Sequence, residues 1–339
     1  MKKKIVLTLM QLKGISRKTV LNHISIPNNI DCSKEAVFQI LEEARRDSKK
    51  IREYTSEDIK NAIEEAEKIQ DNCLKMDIKI LSFLDEGYPQ LLRKSDDPPS
   101  LIYYKGDLSY INSMNAVAII GTREPSTFGS KVANKLGESL AIRGFVDVSG
   151  LALGCDTEGH KGCLNAGGKT IAVLAGGLEK IYPAVNKKLA EEIVEKGGAI
   201  MSEYPPYANV FKGAFVDRDR IQAALSSGVM VIETREKGGT LHAVRYAGDY
   251  DRLVGCVKHT GKYSDIEQSE GNKMLVRNGK AVFIANDADL DEFCENMNIK
   301  RNELMKSQED VLQQDEEYVQ MSLFDEYPIA KGGRKCHIT

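Results

Sequence analysis

The chain has 339 residues, which at about 150 residues per domain means two domains or one large domain with a smaller companion. Apolar residues make up 42% and charged residues 29%, the composition of a globular protein with a sizeable core. Lys and Arg number 47 against 50 Asp and Glu, a formal net charge of -3. Bulk positive charge is therefore excluded as the means of holding a nucleic acid, and any such site must be a local patch or a groove of backbone donors.

The start, Met1 to Met10, briefly resembles a signal peptide, but its apolar run breaks at Gln11 and Lys13 with no small-residue cleavage site after it. No run of 18 or more apolar residues exists, so no transmembrane helix is expected. Seven scattered cysteines without a CxxC pair fit free thiols and a reducing, cytoplasmic location.

Residues 1–75 read as a small all-α domain. Glu35 to Arg46 and Ser56 to Leu74 carry apolar residues at helical spacing. Leu12 to Val20 places Gly14 between two short helices, like a helix-hairpin-helix turn that meets a DNA phosphate; equally, Gly14 ends one helix and Ser16 caps the next. Residues 76–115 form a bridging segment with strands at Ile78–Leu81 and Leu101–Gly106. Residues 116–285 alternate apolar strands and helices: strands at Ala116–Ile120, Phe145–Ser149, Thr170–Leu174, Ala199–Glu203, Val229–Glu233 and Arg252–Val257. That pattern predicts an α/β fold, an extended Rossmann-like parallel sheet with helices on both faces. Residues 286–339 read as an acidic helical segment, Asp287–Asp291 and then Asn302–Glu317, ending in a mobile tail.

Ligands of such sheets sit beyond the carboxyl ends of the strands. The residues there are Gly121-Thr122-Arg123 with Thr127-Phe128-Gly129, then Ser149-Gly150 with Ala152, Gly154 and Asp156, His160 one turn on, Gly176-Gly177, and Gly238-Gly239-Thr240 opening a helix. Glycines let the backbone approach a ligand, and helix N-termini add partial positive charge, so these loops together predict a phosphate-binding surface. Arg123, Arg218 and Arg220 are its candidate full charges. No strand is followed by GxGxxG, and no Walker A loop is present.

These motifs carry a resemblance. Ala118 to Arg123 with Phe128-Gly129, Ser149 to Asp156 with Gly159-His160, Gly167 to Leu174, Tyr182-Pro183 with Asn186, Ser202-Glu203-Tyr204 and Phe215 to Ile221 are similar, in order and spacing, to the DprA/Smf family of DNA-processing proteins. The resemblance runs from about Gly87 to Asn278. It implies a single-stranded DNA binding domain without a nucleotide cofactor, not an enzyme. It also implies protection of incoming strands in natural transformation, loading of a RecA-type recombinase and a homodimer. Carried over by position, the strand-binding residues are Gly121, Thr122, Arg123, Thr127, Phe128, Gly129, Ser149, Gly150, Ala152, Gly154, Asp156, His160, Gly176, Gly177, Asn186, Lys187, Arg218, Arg220, Gly239 and Thr240, with Lys188 flanking. Asp219 departs from the family, which usually has Asn between the two arginines, and its carboxylate repels phosphate unless an arginine pairs with it.

Cys155, His160 and Cys163 lack the fourth ligand and tight spacing of a zinc site, so no metal is expected. Lys237 to Leu241 is similar to the Pro-Gly-Gly-x-Gly-Thr loop of LOG-type phosphoribohydrolases, which leaves a nucleotide-binding sensor or nucleoside monophosphate hydrolase as the alternative. The glutamates that follow the Thr in those enzymes are replaced by Leu241 and His242. Gln320-Met321-Ser322-Leu323-Phe324 resembles the peptide by which replication proteins bind the sliding clamp, with Met321, Leu323 and Phe324 as apolar anchors and Gln320 as the polar one.

Overall fold

A computed structural model describes residues 2–27, 31–49, 51–208, 211 and 213–306. The clamp-type peptide Gln320–Phe324 lies outside the described residues.

Four helices come first: α1 (Lys2–Leu9), α2 (Arg17–His23), α3 (Lys34–Asp47) and α4 (Ser56–Lys75). Each of the last three starts where a hydroxyl side chain accepts a backbone amide: Ser16 from Thr19, Ser33 from Ala36 and Thr55 from Asp58. The apolar residues of α1, Ile5, Val6, Leu7 and Leu9, are fully buried.

The chain then runs β1 (Lys79–Ser82), the short α5 (Gln90–Arg93), β2 (Leu101–Gly106), β3 (Asn115–Ile120), α6 (Thr127–Ile142), β4 (Phe145–Ser149), α7 (Cys155–Asn165), β5 (Thr170–Leu174), α8 (Lys187–Glu195), β6 (Ala199–Ser202) and α9 (Ala214–Leu225). It ends with β7 (Gly228–Val231), α10 (Leu241–Asp249), β8 (Leu253–Val257), α11 (Glu267–Arg277), β9 (Val282–Ile284) and α12 (Asp287–Lys306).

The strands form one nine-stranded sheet in the order β1-β2-β6-β5-β4-β3-β7-β8-β9. The seven from β6 to β9 are parallel, as the apolar strand runs predict; β1 and β2 add antiparallel at the β6 edge. Alternation along β3 sends Ala116, Ala118 and Ile120 into one core with α9 and α10, and Val117 and Ile119 into another with α6 and α12. A third core joins α1, α3 and α4 to Tyr103, Ala172, Leu174 and Ile200 of the sheet.

Two features differ from the sequence expectation. The acidic segment forms one continuous helix, α12, because Leu290, Phe293, Cys294 and Met297 make a single buried stripe against the sheet. Helix α11 and strand β9 extend the parallel series by one unit beyond β8.

Candidate functional site

The strand order reverses between β3 and β7, since the chain steps outward from β3 through β4 and β5 on one side and through β7 and β8 on the other. Loops leaving the two central strands in opposite directions open a crevice at their carboxyl ends. A groove of about 540 Å³ occupies that place. Its walls come from Gly121-Thr122-Arg123 after β3, Ala152 and Asp156 after β4, the first turn of α9, and the Thr234–Thr240 loop after β7. Gly150 and Ala152 continue the wall toward Tyr182 and Pro183, with Phe215 shared between the two parts.

Arg218 forms the floor and is 7% exposed. Its Nη1 donates to the Val173 carbonyl at 3.4 Å and lies 3.8 Å from Asp156 Oδ2; its Nε lies 3.2 Å from Asp219 Oδ1. The Nε approach is too poorly aligned to be a hydrogen bond, so a buried donor remains unsatisfied at the floor. Gly150 is required there, because a Cβ would overlap the Arg218 guanidinium. Asp156 Oδ2 also accepts the Gly150 and Ala152 amides at 3.1 and 3.3 Å, which ties the β4 loop to the floor. Burial pushes the Asp156 carboxyl up against the pull of Arg218. The same contest leaves Asp219 pushed up to about 6.

The rim is cationic. Arg123 is exposed, with its guanidinium 5.6 Å from the centre of the Phe215 ring. Arg235 and Lys237 are also exposed, Arg235 lying 3.5 Å from Glu267. Exposed Glu124 shares the rim.

A second anchor lies behind the groove. The buried Glu233 carboxylate accepts the Ser126 amide at 2.8 Å, the Ser126 hydroxyl at 2.5 Å and His259 Nε2 at 3.0 Å, while its carbonyl accepts the Thr122 amide at 2.8 Å. Burial alone would raise this carboxyl; the hydrogen bonds from His259 and Ser126 outweigh it and hold it below the usual glutamate range. Asn272 of α11 adds a third tie, donating to the Ile232 and Val257 carbonyls at 2.9 and 3.1 Å and accepting the Thr234 amide at 3.1 Å.

The sequence profile of the DNA recombination-mediator protein A family matches residues 79–297, a span that includes every strand and loop just described. The chain belongs to that family. Protein Smf of Synechocystis is 39% identical over 204 residues, a match covering 59% of this chain and 50% of that protein's length. The chain thus spans about half of that relative. The X-ray structure of DNA processing protein A from Streptococcus pneumoniae superposes with a TM-score of 0.62 at 28% identity, covering 85% of this chain and 94% of that one. A DNA processing protein A structure from Helicobacter pylori, described for its single-stranded DNA binding mode, gives 0.55 at 29% identity, covering 69% and 96%.

Set against the family motifs, the groove gathers Gly121, Thr122, Arg123, Gly150, Ala152, Asp156, Arg218, Gly239 and Thr240. Other motif residues hold the loops. Ser149 donates to the Ile119 carbonyl at 2.6 Å, and Asn186 to the Leu151 carbonyl and the Thr157 hydroxyl, both at 2.8 Å. Thr127 bonds the Tyr263 hydroxyl, Phe128 stacks on Tyr263, and Gly129 packs against the Glu233 carboxylate. Gly154 lies against the Thr122 carbonyl, and Gly177, next to Gly176, lies against Pro205. Lys187 is exposed, 3.9 Å from Glu191.

Two expectations are corrected. Arg220 is 2% exposed and spends its charge on Glu203, at 2.5 Å, and Asp97, at 3.8 Å, away from the groove. Two residues along a helix turn by about 200°, so Arg218 and Arg220 cannot share a face. His160 is fully buried, 2.6 Å from Thr170 Oγ1 and 3.0 Å from Asp147 Oδ2, and holds α7 to β4 and β5. Cys155 and Cys163 are buried too, and burial pushes both thiols up. No group of three potential metal ligands occurs among the described residues. Arg235 and Phe215 are groove residues beyond those the motifs mark, and their signal is position, one three residues before Gly238-Gly239 and one in the first turn of α9.

Proposed function

We propose that the chain binds single-stranded DNA in this groove and acts in DNA processing. The observation that carries the reading is the groove's layout at the β3–β7 crevice. Three exposed cations, Arg123, Arg235 and Lys237, surround a floor where Arg218 is already balanced by Asp156 and Asp219. Such a rim suits a chain of phosphates passing over it rather than one phosphate buried in it. The ring of Phe215 beside Arg123 supplies a stacking face for a base. The names of the relatives, and the single-strand binding described for the Helicobacter pylori protein, support this reading over hydrolysis of a nucleotide. Family membership also supports protection of single strands and the loading of a RecA-type recombinase onto them.

Fluorescence anisotropy of a labelled oligonucleotide tests the reading. Three phosphate contacts predict a slope of log affinity against log salt of about -2. Arg123→Ala weakens binding about tenfold, because a charge-assisted contact contributes roughly 1.5–3 kcal/mol. Wild-type affinity in that variant, or binding of duplex as tightly as single strand, refutes the groove.

A further inference from the structure

Four exposed large apolar side chains lie beyond the carboxyl ends of β5 and β6. Tyr182 is 63% exposed, Val185 74%, Tyr207 64% and Phe211 52%, and all four lie on the loops that follow β5 and β6. Those strands are the second and third neighbours of β3 on the β4 side, so the rings lead away from the groove in a line. Three contacts mark its course. Phe215 at the groove wall meets Tyr182 edge-on at 6.1 Å, the Gly177 turn abuts Pro205, and Phe211 meets Tyr204 edge-on at 6.0 Å. Tyr204 and Pro205 then wall a second cavity of about 520 Å³, closed on its other side by Met10, Ser16, Arg17 and Lys18 from the helical segment.

The chemistry of this line suits nucleobases. Arg17 is paired with Asp97, at 2.6 Å, and Glu203, at 3.6 Å, so the rest of the wall is apolar and aromatic at Met10, Leu101, Tyr103, Tyr204 and Pro205, polar and uncharged at Gln11, Ser16 and Ser100, and cationic at exposed Lys18. Exposed Lys180, Lys187 and Lys188 lie beside Tyr182 and Val185 in the chain, against two exposed acids, Glu179 and Glu191. Exposed rings with cations nearby in the chain suit the bases and phosphates of a strand, and stacking on such rings needs no particular sequence.

We propose that a single strand seated in the groove continues along the carboxyl ends of β5 and β6, stacks bases on Phe211 and Tyr207, and places a base in the cavity between β6 and α2. This inference rests on the single-strand reading of the groove. From β7 to β6 are four strand spacings of about 4.8 Å, or about 19 Å. At about 3.4 Å per stacked nucleotide that is five or six nucleotides. The two spacings of the groove itself take about three nucleotides, so an oligomer of about four occupies the groove alone, and one of about 12 covers both parts with nucleotides to spare.

The test compares labelled dT oligomers of those two lengths on the wild type and on a Tyr207→Ala/Phe211→Ala variant. The variant is expected to bind the longer oligomer at least about tenfold more weakly and the shorter one unchanged. A 2-aminopurine placed near the end of the longer oligomer is expected to lose its stacking quench in the variant, whereas Tyr207→Phe keeps it. Lys18→Ala, which leaves every ring in place, is expected to weaken the longer oligomer alone. Both substituted rings are more than half exposed, so the variant should melt with the wild type. Equal binding of the longer oligomer overturns the extension and leaves the groove standing. Equal weakening of both lengths also overturns it, since the rings then act through the groove. A wild type that binds neither oligomer overturns groove and extension together.

Discussion

Arg218 and its two carboxylates decide how the groove responds to pH. Asp219 titrates near 6 in the folded protein, burial raising it and Arg218 pulling the other way. Above that pH its carboxylate repels a phosphate; below it the group is neutral. Strand affinity is therefore expected to rise as pH falls from 7.5 to 5.5. Asp219→Asn should bind more tightly at pH 7.5 and lose most of that dependence. His242 and Asp156 line the same groove, so Asp219→Asn is compared with its parent in a His242→Ala background, and the difference between the two profiles is Asp219's share. An unchanged pH profile in the Asn variant excludes Asp219 as the sensing group. The sequence made Asp219 visible as an oddity between two arginines, but not that the arginines point apart. Helical periodicity contained that information, since residues 218 and 220 cannot face one ligand once α9 is accepted as a helix.

At the scale of elements, the loops around the groove are held by buried side chains more than by their glycines. Glu233 joins the start of α6 through Ser126 to the end of β8 through His259. Removing its carboxylate strands a buried imidazole and a backbone amide, so Glu233→Ala is expected to destabilise the fold by about 3–5 kcal/mol. Denaturant unfolding measures this, and a loss under about 1 kcal/mol would show that the anchor is dispensable. The sign with pH follows from the lowered carboxyl. Its stabilisation is complete above the ordinary glutamate pKa and disappears as pH falls through the lower folded value, so acid unfolding of the wild type should begin below the ordinary range. The strand leading to Glu233 was legible as an apolar run, but its partner His259 was not, because nothing local marks a histidine 26 residues away as its mate. Helix α11 escaped for a related reason. Its buried residues include Ser269, Gly271 and Asn272, which give no apolar stripe, and Asn272 is buried to serve three backbone groups of neighbouring loops.

For the whole molecule, the helical segment and the sheet share a core and an ion-pair network. Arg17 of α2 reaches Asp97 and Glu203, and Arg220 of α9 reaches the same two acids. Burial raises the Glu203 carboxyl while both arginines oppose it. Hydrogen bonding to Asp97 raises Arg17 further. Arg17 is about one-quarter exposed, so its loss is discounted for solvent screening. Arg17→Ala is expected to destabilise the protein by about 1–3 kcal/mol, with faster limited proteolysis within residues 1–75. Unchanged melting and proteolysis would show that the shared apolar core alone holds the segment. The turn before α2 was legible as Gly14 followed by a Ser16 cap, and both are present, Gly14 with φ 95°. That Arg17 points to Asp97, 80 residues on, was not.

What the chain determines locally is the alternation of six apolar parallel strands with helices, the small residues at their carboxyl ends, and the family to which those motifs belong. Each follows from periodicity or from residue types within one turn or loop. Which loops meet was decided by the tertiary structure. The reversal of strand order at β3 and β7 puts Arg123 beside Phe215 and Lys237 near Asp156, residues that no local pattern relates. It also sets which charges remain available to a ligand. Arg218, Arg220 and Arg17 look alike in one dimension, yet each is neutralised by carboxylates that only packing brings near, while Arg123, on an exposed loop, keeps its charge for solvent or a bound phosphate.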